Sequence, residues 1–173
     1  MTTDLQLLYG PHEIAAIVER LAKEIKKDYC ERKPVLLTVL KGAYVFTADL
    51  SRAIGIDLEI DFIQPSSYDN GTRPEDNVVL LRRLTENIRG RHVIIVEGIV
   101  DRGLTLQRVL KEVIDLKPAS VKVCALLVRD GVNHDFTVHY RGESISNGFV
   151  VGYGMDMDGR YRQLKGLHIL KEG

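Results

Sequence analysis

The chain has 173 residues, enough for one domain that buries its own core, and 45% of them are hydrophobic. Its 24 Lys and Arg balance 24 Asp and Glu, so no global field argues for nucleic acid or an anionic membrane as partner. No apolar run approaches the roughly 18 residues of a spanning helix. Met1-Thr2-Thr3-Asp4 lacks the basic and apolar start of a secretory signal, so a cytoplasmic protein is expected. Cys30 and Cys124 have neither Cys-x-x-Cys nor His spacing, which indicates no disulfide framework or zinc site; they read as structural thiols in a reduced compartment.

In chain order, Ile14, Ile17, Val18, Leu21, Ala22 and Ile25 recur at helical spacing over 11–29, with Pro11 suited to the first turn. Residues 35–40 are a short apolar run and read as a buried strand, from which Lys41-Gly42 turns into a helix over 43–53. Residues 58–63 alternate as a strand that Pro65 is expected to stop. The polar, turn-rich stretch 66–77 reads as a loop. An antiparallel strand is predicted over 78–84 and a connection through Arg89-Gly90. The strand 92–96 then leads to a helix over 104–116, ended by Pro118, and to a strand over 121–128. A polar stretch at 131–135 precedes shorter strands near 136–140 and 148–153, and a last strand is predicted over 167–170. Strands alternating with amphipathic helices predict a mainly parallel sheet covered on both faces, and the chain, 1–173, reads as a single domain without repeats or linkers.

The most informative segment runs from His92 to Leu106. A mostly β-branched strand is followed by Glu97, Asp101, a Gly-x-Thr turn at Gly103-Leu104-Thr105, and a helix opening. In an α/β protein, ligands bind beyond the carboxyl ends of the strands, where a strand hands over to a helix. The amides of Arg102, Gly103, Leu104 and Thr105 would form a phosphate cradle, with the Thr105 hydroxyl as a further donor and Gly103 free to take positive φ. The long glycine–lysine spacing of a Walker loop is absent. This layout suits a phosphorylated sugar. The plainer alternatives are an ordinary strand–helix turn and, for Asp101, a helix N-cap.

The same segment resembles the phosphoribosyl-diphosphate motif of the type I phosphoribosyltransferases. Leu40-Lys41-Gly42-Ala43, Ser66-Ser67-Tyr68 and Phe149-Val150-Val151-Gly152-Tyr153-Gly154-Met155-Asp156, with Arg162 beyond, resemble the hypoxanthine(-guanine) branch in the same order. The resemblance implies a twisted, mainly parallel sheet flanked by helices, with a small hood from the N- and C-terminal segments. It implies transfer of 5-phosphoribose from phosphoribosyl diphosphate to hypoxanthine, and to guanine, in purine salvage. Mg²⁺ would accompany the diphosphate, with Glu97 and Asp156 as its carboxylates, and the chain would form a homodimer or homotetramer.

By the same resemblance Asp101 takes the purine's ring proton, a role that contributes about 10²–10⁴-fold in rate. Glu97 grips the ribose hydroxyls, while Lys41, Gly42 and Arg162 bind pyrophosphate. Arg129 donates to the purine's exocyclic oxygen, Phe149 stacks on its face, and the Val150 backbone and Asp156 read its edge. Ser66, Ser67 and Tyr68 begin a lid loop. Without the resemblance, Arg129 reads as a solvated cation, Phe149 as core, and the lid as surface loop.

Two positions depart from the family pattern. Gly98 stands where a second acid is usual, which removes a bond of roughly 1.5–3 kcal/mol and predicts weakened donor binding that Gly98→Asp should restore. Arg102 replaces a small hydroxyl residue; its guanidinium would bind phosphate or pair with Asp101. These departures motivate the alternative of a nucleotide-binding or regulatory protein of the same fold with weak or no turnover.

Overall fold

The computed structural model describes residues 4–67, 78–82 and 87–171. Six strands form the main sheet in the order β4-β3-β2-β5-β6-β7: β2 (Val35–Val39), β3 (Glu59–Ser67), β4 (Val78–Arg82), β5 (His92–Val100), β6 (Ser120–Arg129) and β7 (Tyr140–Ile145). All adjacent pairs are parallel except β3–β4. The parallel arrangement follows from burial on both faces, since β2 and residues 93–96 of β5 are continuous Val, Ile, Leu and Thr.

Side chains alternate between two cores. Leu36, Ile94, Val96, Cys124 and Leu126 meet α1 (Pro11–Tyr29) and α2 (Tyr44–Ile54) through Leu21, Ile25, Phe46 and Leu50. Leu37, Val93, Ile95, Val123 and Ala125 meet Leu106, Val109 and Val113 of α3 (Leu104–Asp115). The apolar stripe read over 11–29 is the buried face of α1, and Pro11 occupies its first turn.

A separate three-stranded sheet, β1-β9-β8, forms the hood from β1 (Leu5–Tyr9), β8 (Phe149–Val151) and β9 (Leu167–Leu170). Its two-ended origin matches the expectation, although β1 itself has no counterpart in the sequence reading.

Other boundaries differ for physical reasons. Pro65 does not stop β3, because a register shift between Gln64 and Pro65 admits the proline where the strand pairs with β4. Ser66 and Ser67 consequently lie in a strand, while Tyr68 and the rest of the expected loop up to residue 77 fall outside the described residues. β5 runs four residues beyond Val96, so Glu97 is a strand residue and not part of the turn. No strand covers Phe136–Val138; those side chains pack against the α3 core instead, and pairing with β6 resumes at Tyr140. Of the two thiols, which are both free, Cys124 is buried as a structural residue whereas Cys30 is exposed at the end of α1.

Candidate active site

The carboxyl end of β5, the β2–α2 turn and the start of α3 enclose a cleft of about 500 Å³. Glu97, Asp101, Arg102, Gly103, Leu104 and Thr105 line it together with Leu40, Gly42 and Pro65. Gly103 is the N-cap of α3 with φ +80, as the turn demanded, and no side chain caps the helix. Asp101 is therefore not a helix cap. The first amides of α3 lack intrahelical partners and carry the positive end of the helix dipole, which suits an anion.

Asp101 sits just past the strand with its side chain 55% exposed. Its Oδ2 accepts from Arg129 Nη2 at 3.1 Å, and its carbonyl meets His134 Nε2 at 2.7 Å. Arg102, expected to bind phosphate or to pair with Asp101, forms no ion pair among the described residues; Arg129 pairs with Asp101 instead. His134 was not legible as a site residue, since no motif marks it. Its ring lies over the phosphate turn beside Phe136, where a Cβ at position 103 would stand 2.7 Å from the ring.

Glu97 folds back on the backbone, its Oε1 accepting from the Gly98 amide at 2.8 Å. Desolvation by burial raises its carboxyl to about 8, against the lowering effect of the Gly98 and Ile99 amides. At neutral pH it is mostly protonated, so it offers a hydroxyl as well as an acceptor. Gly98 is buried, and a Cβ there would stand 3.3 Å from the Gly42 carbonyl oxygen and 3.6 Å from Met155 Cγ. The missing acid thus coincides with tight seating of the Lys41–Gly42 turn. The Leu40–Lys41 peptide is cis, and the Lys41 side chain is exposed.

The residues expected around the base are differently placed. Arg129, at the end of β6, is 14% exposed, which excludes a merely solvated cation, and its Nη2 also donates to the Gly148 carbonyl at 3.1 Å. Phe149 is 55% exposed and not core, whereas Val150 is buried and paired with Ile169. Asp156 and Arg162 bind each other at 2.7 Å; Arg162 Nη1 also donates to the Gly154 carbonyl, and Asp156 accepts from the Gly159 amide. Arg162 lines a second cavity of about 700 Å³ between α1, α2 and the hood, which none of the β5–α3 motif residues reaches. Among the described residues no group of three or more His, Cys, Asp or Glu side chains could hold a metal.

A mainly parallel sheet with an acidic strand end, a glycine-capped helix start and a separate hood is the arrangement that the resemblance to the phosphoribosyltransferases implies. The family model described as the phosphoribosyl transferase domain matches residues 7–158, and the chain belongs to that family. Hypoxanthine-guanine-xanthine phosphoribosyltransferase of Tritrichomonas foetus is 39% identical over 175 residues, covering 99% of this chain and 95% of the relative. The crystal structure of a hypoxanthine-guanine phosphoribosyltransferase from Bacillus anthracis, with HEPES in its active site, matches with a TM-score of 0.91 and 38% identity, covering 97% of this chain and 100% of the other. That of the Trypanosoma cruzi hypoxanthine phosphoribosyltransferase bound to its product IMP gives 0.88 and 35%, covering 98% and 95%. Resemblance to the hypoxanthine(-guanine) branch thus extends along nearly the whole chain.

Proposed function

We infer that this chain transfers 5-phosphoribose from phosphoribosyl diphosphate to hypoxanthine, and to guanine, giving the nucleoside monophosphate and pyrophosphate in purine salvage. The observation that carries this reading is the juxtaposition in one cleft of an exposed carboxylate, Asp101, with the open amide end of α3. The amides of 102–105 and the Thr105 hydroxyl hold the 5-phosphate. The Lys41–Gly42 turn faces the diphosphate, and the Arg102 guanidinium adds a cation free to reach phosphate. As the bond from the anomeric carbon to pyrophosphate breaks and a bond to the purine nitrogen forms, the ring proton passes to Asp101. Arg129 donates to the 6-oxygen and Phe149 stacks on the ring. Asp156 and Arg162, bound to each other, hold the hood turn, and the remaining N–H groups of Arg162 are left for pyrophosphate and the remaining lone pairs of Asp156 for the purine edge.

A resident metal does not fit the residues present. Glu97 is turned onto its own backbone, Asp156 is engaged by Arg162, and no ligand cluster exists among the described residues. Mg²⁺ entering with the diphosphate does fit, because that ion takes most of its ligands from phosphate and water and asks the protein for one or two carboxylates. It would neutralise charge on the leaving group. The reading includes a cytoplasmic homodimer or homotetramer. No helix among the described residues is long and apolar enough to cross a membrane.

A spectroscopic panel of hypoxanthine, guanine and xanthine with phosphoribosyl diphosphate and Mg²⁺ tests the function. Monophosphate formation from hypoxanthine is expected. Binding of all three without turnover would instead support the regulatory reading that Gly98 and Arg102 motivate.

A further inference from the structure

One guanidinium joins three parts of the base side of the cleft. Arg129 leaves the end of β6, and its Nη2 places one N–H on Asp101 Oδ2 and the other on the Gly148 carbonyl, both at 3.1 Å. The second anchor is firm. Gly148 is pressed against β9, where a Cβ would lie 2.5 Å from Ile169 Cγ2, and it immediately precedes Phe149. The main chain of Asp101 is held from elsewhere, by His134. The carboxylate, by contrast, has Arg129 as its hydrogen-bonding partner among the described residues. Nε and Nη1 of Arg129 keep their hydrogens uncommitted among those residues, and because a guanidinium is planar, fixing Nη2 fixes their direction too.

We propose that Arg129 is a positioning residue for the proton-transfer step: its Nη2 aims the Asp101 carboxylate, while its remaining N–H groups serve the purine, so recognition of the base and proton removal share one side chain. This rests on the phosphoribosyl-transfer reading above. An ion pair with one partner this exposed contributes little to stability. A role in orienting Asp101 therefore predicts a kinetic effect with little change in melting temperature.

The test is a double-mutant cycle between Arg129→Gln and Asp101→Asn, with kcat and both KM values measured. Gln keeps a neutral donor for the purine but lacks the planar, charged fork. Alone, Arg129→Gln is expected to lower kcat on the order of 10- to 100-fold, with a smaller rise in the KM for hypoxanthine. In the Asp101→Asn background it should change kcat less than about twofold, because the group it orients is gone. Arg129→Lys, which keeps charge and a donor, should recover part of the loss. Equal effects of Arg129→Gln in both backgrounds, or a raised KM with kcat intact, overturn the proposal and leave the transfer reading standing. A parent protein without turnover sinks that reading and this one with it. If Arg129→Gln does not fold, Arg129→Lys carries the same cycle under the same criteria.

Discussion

The strand-end turn and the hood, which the proposed function brings to one substrate, are built on opposite terms. Beyond β5 the polar side chains stand open: Asp101 is more than half exposed, and Arg102 and Thr105 face solvent. In the hood they are tied to each other, Arg162 to Asp156 and to the Gly154 carbonyl, and the Tyr153 hydroxyl to Asp49 at 2.5 Å. Open groups at the end of a rigid strand can exchange protons and phosphate; groups in closed networks hold a shape. A shared place in the proposed purine site therefore does not assign the same kind of role to Asp101 and Asp156.

The contrast is sharpest for carboxylate removal at the strand end. Asp101→Asn should lower monophosphate formation by about 10²–10⁴-fold while the melting temperature moves by no more than about 1 °C, since the group is exposed. Unimpaired turnover would break the comparison outright. Arg162→Met should do the reverse, lowering the melting temperature by about 4–8 °C, roughly 2 kcal/mol, by leaving Asp156 and the Gly154 carbonyl without their cation. Thermal melts of the two variants side by side decide the matter.

Gly98 sharpens the same line within the cleft. Gly98→Ala should raise the KM for phosphoribosyl diphosphate by about two- to tenfold by crowding the Gly42 carbonyl, with the KM for hypoxanthine unaffected. Gly98→Asp adds the same carbon but restores an acid, and should bind the donor about tenfold better than the Ala variant. Equal donor KM values for the two variants would show that the acid regains nothing.

A last effect is expected at Glu97, in chelator and without substrate. Its carboxyl titrates near 4.5 when unfolded and about 8 when folded. Between those values the folded state keeps a proton that the unfolded state releases, so stability falls as pH rises through the window. Glu97→Gln stays neutral throughout. Its advantage should be small near pH 4.5 and grow steadily as pH rises toward 8, read from melts across the range. An advantage independent of pH would mean that the carboxyl is not held protonated.

Much of this architecture was legible because it is local. The α1 stripe, the β-branched run of β5 and the glycine at the start of α3 each declare themselves within a dozen consecutive residues, and they place Glu97, Asp101 and the phosphate turn. What escaped depends on distant partners. Leu5–Tyr9 carries no alternation and becomes a strand only by pairing with β9. Pro65 reads as a stop unless the shifted register with β4 is known. The partner of Asp101 lies 28 residues away at Arg129, and His134 reaches its carbonyl from 33 residues away. That Arg129 rather than Arg102 pairs with Asp101 depends on which strand end lies next door, which spacing along a chain does not record.

The Gly42 carbonyl has a consequence for anyone reshaping this protein. It is approached from β5 and from the hood turn at once, since a Cβ at Gly154 would stand 2.8 Å from it and one at Gly98 3.3 Å. Three stretches far apart in the chain therefore share one seat, and a bulkier neighbour on one side must be matched by withdrawal on another. Libraries that randomise 42 and 98 jointly, with Gly154 kept for its φ of +98, should recover viable combinations that single-site scans discard.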